Sequence, residues 1–306
     1  MVITEVTNEM VPQVRKFLSS RKEFGFRRDW DVVFKYAWKQ ENFPYGYAIV
    51  HEGSVLGFLG TLFCERIIGG TSLVYCNLSS WVVDDNHKGA RSLAAALLAP
   101  ALKTKNVVIT SFTPNENAQR TYEKIGFKRI DDHQIALPTV TSYLGWGKKG
   151  SRDVLSRPDE IERYLNDKDR KILMDHRNLD CAHVLVRDSI TEQYCYMIGM
   201  KSPLRLRRLS LSSHTWLARF YSRWNCFNVC YVSNPVFLAE NIHIVNKCLW
   251  KNCSSLALRY DARLIPRRLS VLQYKLPTVR LCFSSADFQA GDIDDLYSEL
   301  VTDNMY

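Results

Sequence analysis

At 306 residues the chain exceeds what one hydrophobic core usually supports, so two domains are expected. Its 46% hydrophobic and 24% charged residues describe an ordinary globular protein, with 41 basic against 32 acidic side chains and a formal net charge of +9. The N-terminus lacks a basic segment leading into a cleavable apolar core, and the longest strongly apolar stretch, Leu93 to Leu102, is too short to cross a bilayer. These features lead to the expectation of a cytoplasmic protein with no membrane partner. Nine cysteines, with Cys64, Cys76, Cys195 and Cys230 inside apolar strand-like runs, read as buried thiols of a reducing compartment.

In chain order, residues 2–6 predict a strand, and apolar residues at 11, 14, 17 and 18 predict an amphipathic helix. A second helix is expected from Trp30 to Trp38. Tyr45 to His51 and Val55 to Ile67 read as strands joined by a hairpin turn at Glu52-Gly-Ser. Leu73 to Val83 is dense in β-branched and aromatic residues and predicts a strand. It runs into a polar turn, Asp84 to Ser92, and then into the apolar run Leu93–Ala99, expected as a core helix. Asn106 to Phe112 is the next strand. Asn115 to Phe127 reads as a helix capped by Asn115 and closed by Gly126. Strand, turn and helix N-terminus together can seat an anion, with Lys88 and Arg91 adding charge, although many such units bind nothing.

The string NENAQRTYEKIGF fills every position of a pattern N-x-x-A-x-x-x-Y-x-K-x-G-F through Asn115, Ala118, Tyr122, Lys124, Gly126 and Phe127. In this it resembles the GNAT superfamily of acyl-CoA-dependent N-acyltransferases, over roughly residues 1–138. The turn HKGARS is similar to that family's pyrophosphate turn at Lys88 and Gly89 but carries Arg91 where a second glycine usually stands. The resemblance implies a mixed α/β fold of GNAT type and acetyl-CoA (acyl-CoA) as co-substrate. The implied cofactor contacts are Val83, His87, Lys88, Gly89, Ala90, Arg91, Ser92, Asn115 and Ala118. It further implies that Tyr122 protonates the coenzyme A sulfur, and that Asn115 holds the pantetheine arm or a water. Read as residues alone, Tyr122 is also an ordinary packed aromatic whose hydroxyl reaches the surface. The group that takes the amine proton stays open among Glu65, Asp84, Asp85 and a water chain.

Lys128 to Leu137 is expected to close the first domain, taken as 1–140. A glycine-rich linker follows at 141–157, and a second domain at 158–306. Pro158 to His176 is charged at most positions and predicts a solvated helix. Ala182–Arg187 and Gln193–Met200 alternate as a strand pair. Phe227 to Tyr260 repeats the order strand, turn, helix, strand, with Asn234 and Pro235 suited to Ncap and N1. The expectation is two tandem GNAT-like domains, the second degenerate: no glycine occurs between Gly199 and Gly291 to build a phosphate turn. A different small α/β domain fits nearly as well. Asp292 to Leu300 predicts a short docking helix with 293, 296, 297 and 300 inward.

Between Lys201 and Arg280 fourteen Lys and Arg face only Glu240 and Asp261. Arg205, Arg207, Arg219 and Arg223 are candidates to bind an anionic acceptor in a groove between the two sheets, against the plainer reading of a solvated surface. Cys226, Cys230, Cys248 and Cys253 miss zinc spacings, and no metal is expected. Cys76 has no His at a telling position and reads as a core thiol. The expected function is transfer of an acetyl group to a primary amine of a small anionic acceptor, such as an amino-sugar nucleotide. The competing readings are a nucleic-acid or anionic-polymer binder and a non-catalytic GNAT-like scaffold.

Overall fold

Glu52 and Gly53 both take positive φ, 48° and 74°, the conformation that lets a two-residue turn follow the twist of its strands. The hairpin they make sets the register of the first sheet, His51 opposite Ser54. The structure, a computed structural model, describes residues 1–21, 30–68, 70–139, 152–203, 225–265, 272–284 and 289–302. They fall into two units. The first runs to Ile130 and takes back Thr278–Asp292 and the stretch from Tyr297; the second holds Asp131–Pro277 and Ile293–Leu296.

The first unit contains β1 (Val2–Glu5), α1 (Val11–Ser19), α2 (Asp31–Phe34), β2 (Gly46–His51), β3 (Ser54–Ile68), β4 (Thr71–Val83), α3 (Lys88–Leu93), α4 (Ala99–Leu102), β5 (Val107–Ser111) and α5 (Glu116–Ile125). Two elements differ from expectation. The helix predicted over 30–38 shrinks to the four residues of α2, though Trp30, Phe34, Tyr36 and Trp38 are all buried. The run Leu93–Ala99 is not one helix: a 3-10 turn at Ala95–Leu98 separates α3 from α4. Pro100 explains the break, since it has no N–H to give and its ring crowds the preceding turn.

The second unit contains most of β6 (Lys128–Pro138), then β7 (Arg152–Leu155), α6 (Pro158–Ile161), α7 (Asp167–His176), β8 (Ala182–Asp188), β9 (Tyr194–Pro203), β10 (Asn225–Val232), α8 (Pro235–Cys253) and β11 (Ser255–Asp261). β12 (Leu272–Ser284) passes from the second unit into the first at Thr278, and α9 (Glu299–Thr302) belongs to the first. The sheet orders are β1-β2-β3-β4-β5-β12 in the first unit and β7-β8-β9-β10-β11-β6 in the second. Among the described residues of each, only the fourth and fifth strands pair in parallel, β4 with β5 and β10 with β11. The strand at 128–137 is present, but its residues Gln134–Pro138 pair with β11, while β12 takes the place beside β5.

The stretch 158–176 is not a solvated helix. It is α6, a 3-10 turn and α7, with Ile161, Leu165, Ile172, Leu173 and His176 buried. Nor is 292–300 one helix. Ile293, Leu296, Tyr297 and Leu300 are buried as their spacing predicts, yet so are Asp294, Asp295, Ser298 and Glu299. A segment buried on every side cannot be read from amphipathic spacing. In the second unit its anchor is Arg263, enclosed by Asp131, Asp261 and Asp295 and donating from Nε to the Ile293 carbonyl at 3.0 Å. Burial opposes the guanidinium charge, and the carboxylates of Asp295 and Asp261 outweigh it, holding Arg263 above its ordinary pKa.

Candidate active site

The parallel pair at the centre of the first unit is short. Its rungs run from Val74 opposite Val107 to Asn77 opposite Thr110. β4 continues to Val83, whereas β5 stops at Ser111, so the strands part and β4 presents a backbone edge to the gap. β4 also bends locally. Ser79 pairs with Gly60 and Val82 with Phe58, so Ser80 and Trp81 span what Leu59 alone spans on β3. Ser80 takes φ 53° there, the mark of a β-bulge.

Tyr122 stands on one face of this fork. Its helix is capped as predicted: Asn115 Oδ1 accepts from the Ala118 N–H at 2.8 Å, and Gly126 ends the helix at φ 112°, which a residue with a Cβ rarely adopts. Tyr122 is buried with Cys76, Leu78 and Ile109. Its ring stacks on Trp81 at 5.2 Å and packs on Phe127 at 5.0 Å. Burial holds the phenol well above its ordinary pKa, against the lowering effect of a hydrogen bond with the Ser111 hydroxyl. Burial likewise pushes the Cys76 thiol well up, which leaves it a poor nucleophile.

The polar turn is shorter than predicted, because the helix starts at Lys88. His87 is its N-cap, Nδ1 accepting from the Ala90 N–H at 3.4 Å, and the Ser92 hydroxyl donates to the Gly89 carbonyl at 2.8 Å. Lys88, Arg91 and Ser92 are exposed, Ala90 is buried, and Val83 is half-buried. A Cβ at Gly89 would fall 2.3 Å from Met1 Cε, so glycine makes room for the N-terminal side chain. Asp84 builds the turn, accepting from Asn86 N–H at 3.1 Å and Arg21 Nη1 at 3.2 Å, and the Arg21 hydrogen bond holds its pKa low. Asp85 and Glu65 are exposed. Arg205, Arg207, Arg219 and Arg223 lie outside the described residues.

No sequence motif marks the fork's other face. Asn77 Nδ2 donates to Thr110 Oγ1 at 3.0 Å, and that hydroxyl donates to Tyr75 Oη at 3.1 Å. The Glu299 N–H donates to Asn77 Oδ1 at 3.0 Å, and the Thr113 hydroxyl donates to Glu299 Oε1 at 3.0 Å. Asn77, Thr110, Tyr75 and Glu299 are all buried. Glu299 and Thr113 are 186 positions apart, so no motif spacing joins them. Among the described residues no group of three or more His, Cys, Asp and Glu is placed to hold a metal, and no helix is long and apolar enough to cross a membrane.

No family model matches the sequence, and no curated protein matches it. Solved structures do match. A GCN5-related N-acetyltransferase from Anabaena variabilis is 13% identical with a TM-score of 0.55, over 92% of this chain and 72% of that one. A probable N-acyltransferase of unknown function from Enterococcus faecalis is 9% identical with a TM-score of 0.56, over the same 92% and 72%. The glucosamine N-acetyltransferase region of a fungal multi-domain β-N-acetylglucosaminidase is 12% identical with a TM-score of 0.51, over 92% of this chain and 38% of that one. The chain has the fold of the GCN5-related N-acetyltransferases, a mixed α/β acyltransferase fold.

Proposed function

We propose that the chain is an N-acetyltransferase that moves an acetyl group from acetyl-CoA to a primary amine of a small anionic acceptor, such as an amino-sugar nucleotide. The observation that carries this reading is the fork between β4 and β5 with Tyr122 buried against it on a helix bearing the full NENAQRTYEKIGF string. Beyond Asn77 the β4 edge has N–H and C=O groups to offer, and an extended chain with amides, such as pantetheine, can pair with them as an added strand would. The same edge can give an N–H to the developing oxyanion. Val83, His87, Lys88, Gly89, Ala90, Arg91 and Ser92 would receive the pyrophosphate, with the exposed Lys88 and Arg91 supplying charge. Asn115 and Ala118, joined by the cap of α5, would border the pantetheine arm. Tyr122 holds its proton at neutral pH and would deliver it to the sulfur as charge develops there.

The amino-sugar nucleotide is the finer part of the reading. Its supports are the basic block from Lys201 to Arg280, with Arg205, Arg207, Arg219 and Arg223 as acceptor ligands, and a glucosamine N-acetyltransferase region among the similar folds. Acetyl-CoA should raise the melting temperature of the full chain, and Lys88→Glu should remove that shift. An unchanged melting temperature at saturating acetyl-CoA would sink the reading. In the turnover assay KM for an anionic acceptor should rise with salt while acetyl-CoA affinity moves less.

A further inference from the structure

We propose that Glu299 is the general base of the transfer, taking the proton of the attacking amine on the face of the fork opposite Tyr122. The inference rests on the acetyltransferase reading and adds the group that reading lacks. Side chains alternate along a strand, so Cys76 and Leu78, which pack with Tyr122, point to one face of β4 and Asn77 between them points to the other. The Glu299 N–H is bonded to Asn77 Oδ1 on the last rung before the strands part, which fixes the start of α9 at the mouth of the fork. The carboxylate is held at Oε1 by the hydroxyl of Thr113, two residues beyond the end of β5. Glu299 thus reaches from the last rung of β4 to the end of β5, across the place where the strands separate.

Several other carboxylates of this unit are exposed or paired away from the last rung. Asp84 is tied to Arg21 and the Asn86 amide, Asp85 is exposed and 3.9 Å from Arg91, and Glu123 is bonded to Arg129 at 2.8 Å. Glu65 is exposed on β3. Among the described residues of the first unit Glu299 is the one buried carboxylate. Its charge also reaches the other face: after burial and the Ser111 hydrogen bond, Glu299 is the next influence on the Tyr122 phenol. Acid and base therefore flank one gap from its two sides. As the N–C bond forms at the thioester carbonyl, the amine proton passes to the Glu299 carboxylate. The C–S bond breaks, and the sulfur takes the Tyr122 proton. Solvent then takes the proton from Glu299 and restores that of Tyr122, so amine and thioester become amide and thiol with no other reagent.

The test uses the full chain with acetyl-CoA and glucosamine 6-phosphate as the probe amine. Glu299→Gln keeps the backbone N–H that Asn77 accepts, and should lower acceptor kcat/KM about 10²- to 10⁴-fold while acetyl-CoA Kd and the melting temperature stay put. Formate should restore part of the activity of Glu299→Ala, a response that a merely structural side chain would not give. Wild-type kcat/KM in Glu299→Gln overturns the assignment and leaves the acetyltransferase reading standing. If Glu299→Gln melts early or loses acetyl-CoA, the formate experiment decides: rescue supports the base, and no rescue overturns it. A wild-type chain that binds no acetyl-CoA, or acetylates no amine, overturns the parent reading and this inference with it.

Discussion

Tyr122 carries two descriptions at once, a core aromatic stacked on Trp81 and a hydroxyl beside the end of β5 bonded to Ser111. They are compatible, because the packing fixes the ring and the raised pKa keeps its proton in place until charge develops nearby. Phenylalanine preserves the packing and deletes only the hydroxyl. Tyr122→Phe is therefore expected to keep acetyl-CoA affinity and lose turnover on the order of 10²- to 10⁴-fold, read as kcat against Kd. Near wild-type turnover would mean that another group or solvent protonates the sulfur. Asn115 and Gly126 were legible for a different reason: a cap and a left-handed C-terminal residue are local demands of a helix, stated in residues close in sequence. Glu299 was not legible, because its role depends on partners at 77 and 113 that only the fold brings to it.

At the scale of elements, strands were read well wherever β-branched and aromatic residues run together, and helices were misread where charge or apolar content was taken without its partners. The apolar stretch 93–99 reads as one helix until Pro100 is weighed against it, and the charged stretch 158–176 hides a buried face. That face brings a buried histidine pair into the second unit. His176 on α7 has its ring nitrogens beside the Ile172 and Leu296 carbonyls, to one of which the neutral ring donates, and His183 on β8 bonds through Nδ1 to Tyr196 Oη at 2.7 Å. Burial, then the charge of His176, depresses the His183 pKa from 6.5 to about 4. A depressed histidine contributes its stability fully above its unfolded pKa and loses it as pH falls toward the folded one. The full chain should thus lose about 2 kcal/mol between pH 7 and 5 from His183 alone, before ordinary carboxylates titrate. Melting curves across that window test it; a flat melting temperature, or the same fall in His183→Asn, would count against the account.

At the scale of the whole molecule, the two units share more than strand order. In the second unit the β10–β11 ladder ends at Asn228 opposite Arg259, as the first ends at Asn77, and β10 runs on to Val232. A register shift falls between Val229 and Tyr231, the counterpart of the bulge at Ser80. Element order alone suggested this repeat; the matching rungs and bulges strengthen the proposal of a degenerate GNAT-like copy. What differs is the gap. In the second unit the Asp295 N–H donates to the Cys230 carbonyl at 3.0 Å, so the chain's own segment 293–296 pairs with the β10 edge where that strand outruns β11. Arg263 clamps this segment through Asp295 and the Ile293 carbonyl. In the first unit the corresponding anchor is a side chain, Asn77 Oδ1. The helix after β10 also starts without glycine, at Asn234 and Pro235, whose first turn has one amide bonded to the cap and one replaced by proline. A pantetheine arm would have to displace this buried, charge-clamped segment to enter there, while at β4 the anchor is the Asn77 side chain. Titration calorimetry on the full chain should therefore give one acetyl-CoA per chain, and Lys88→Glu should abolish the binding heat rather than halve it. Two equivalents, or a residual half signal in Lys88→Glu, would mean that the second fork still opens.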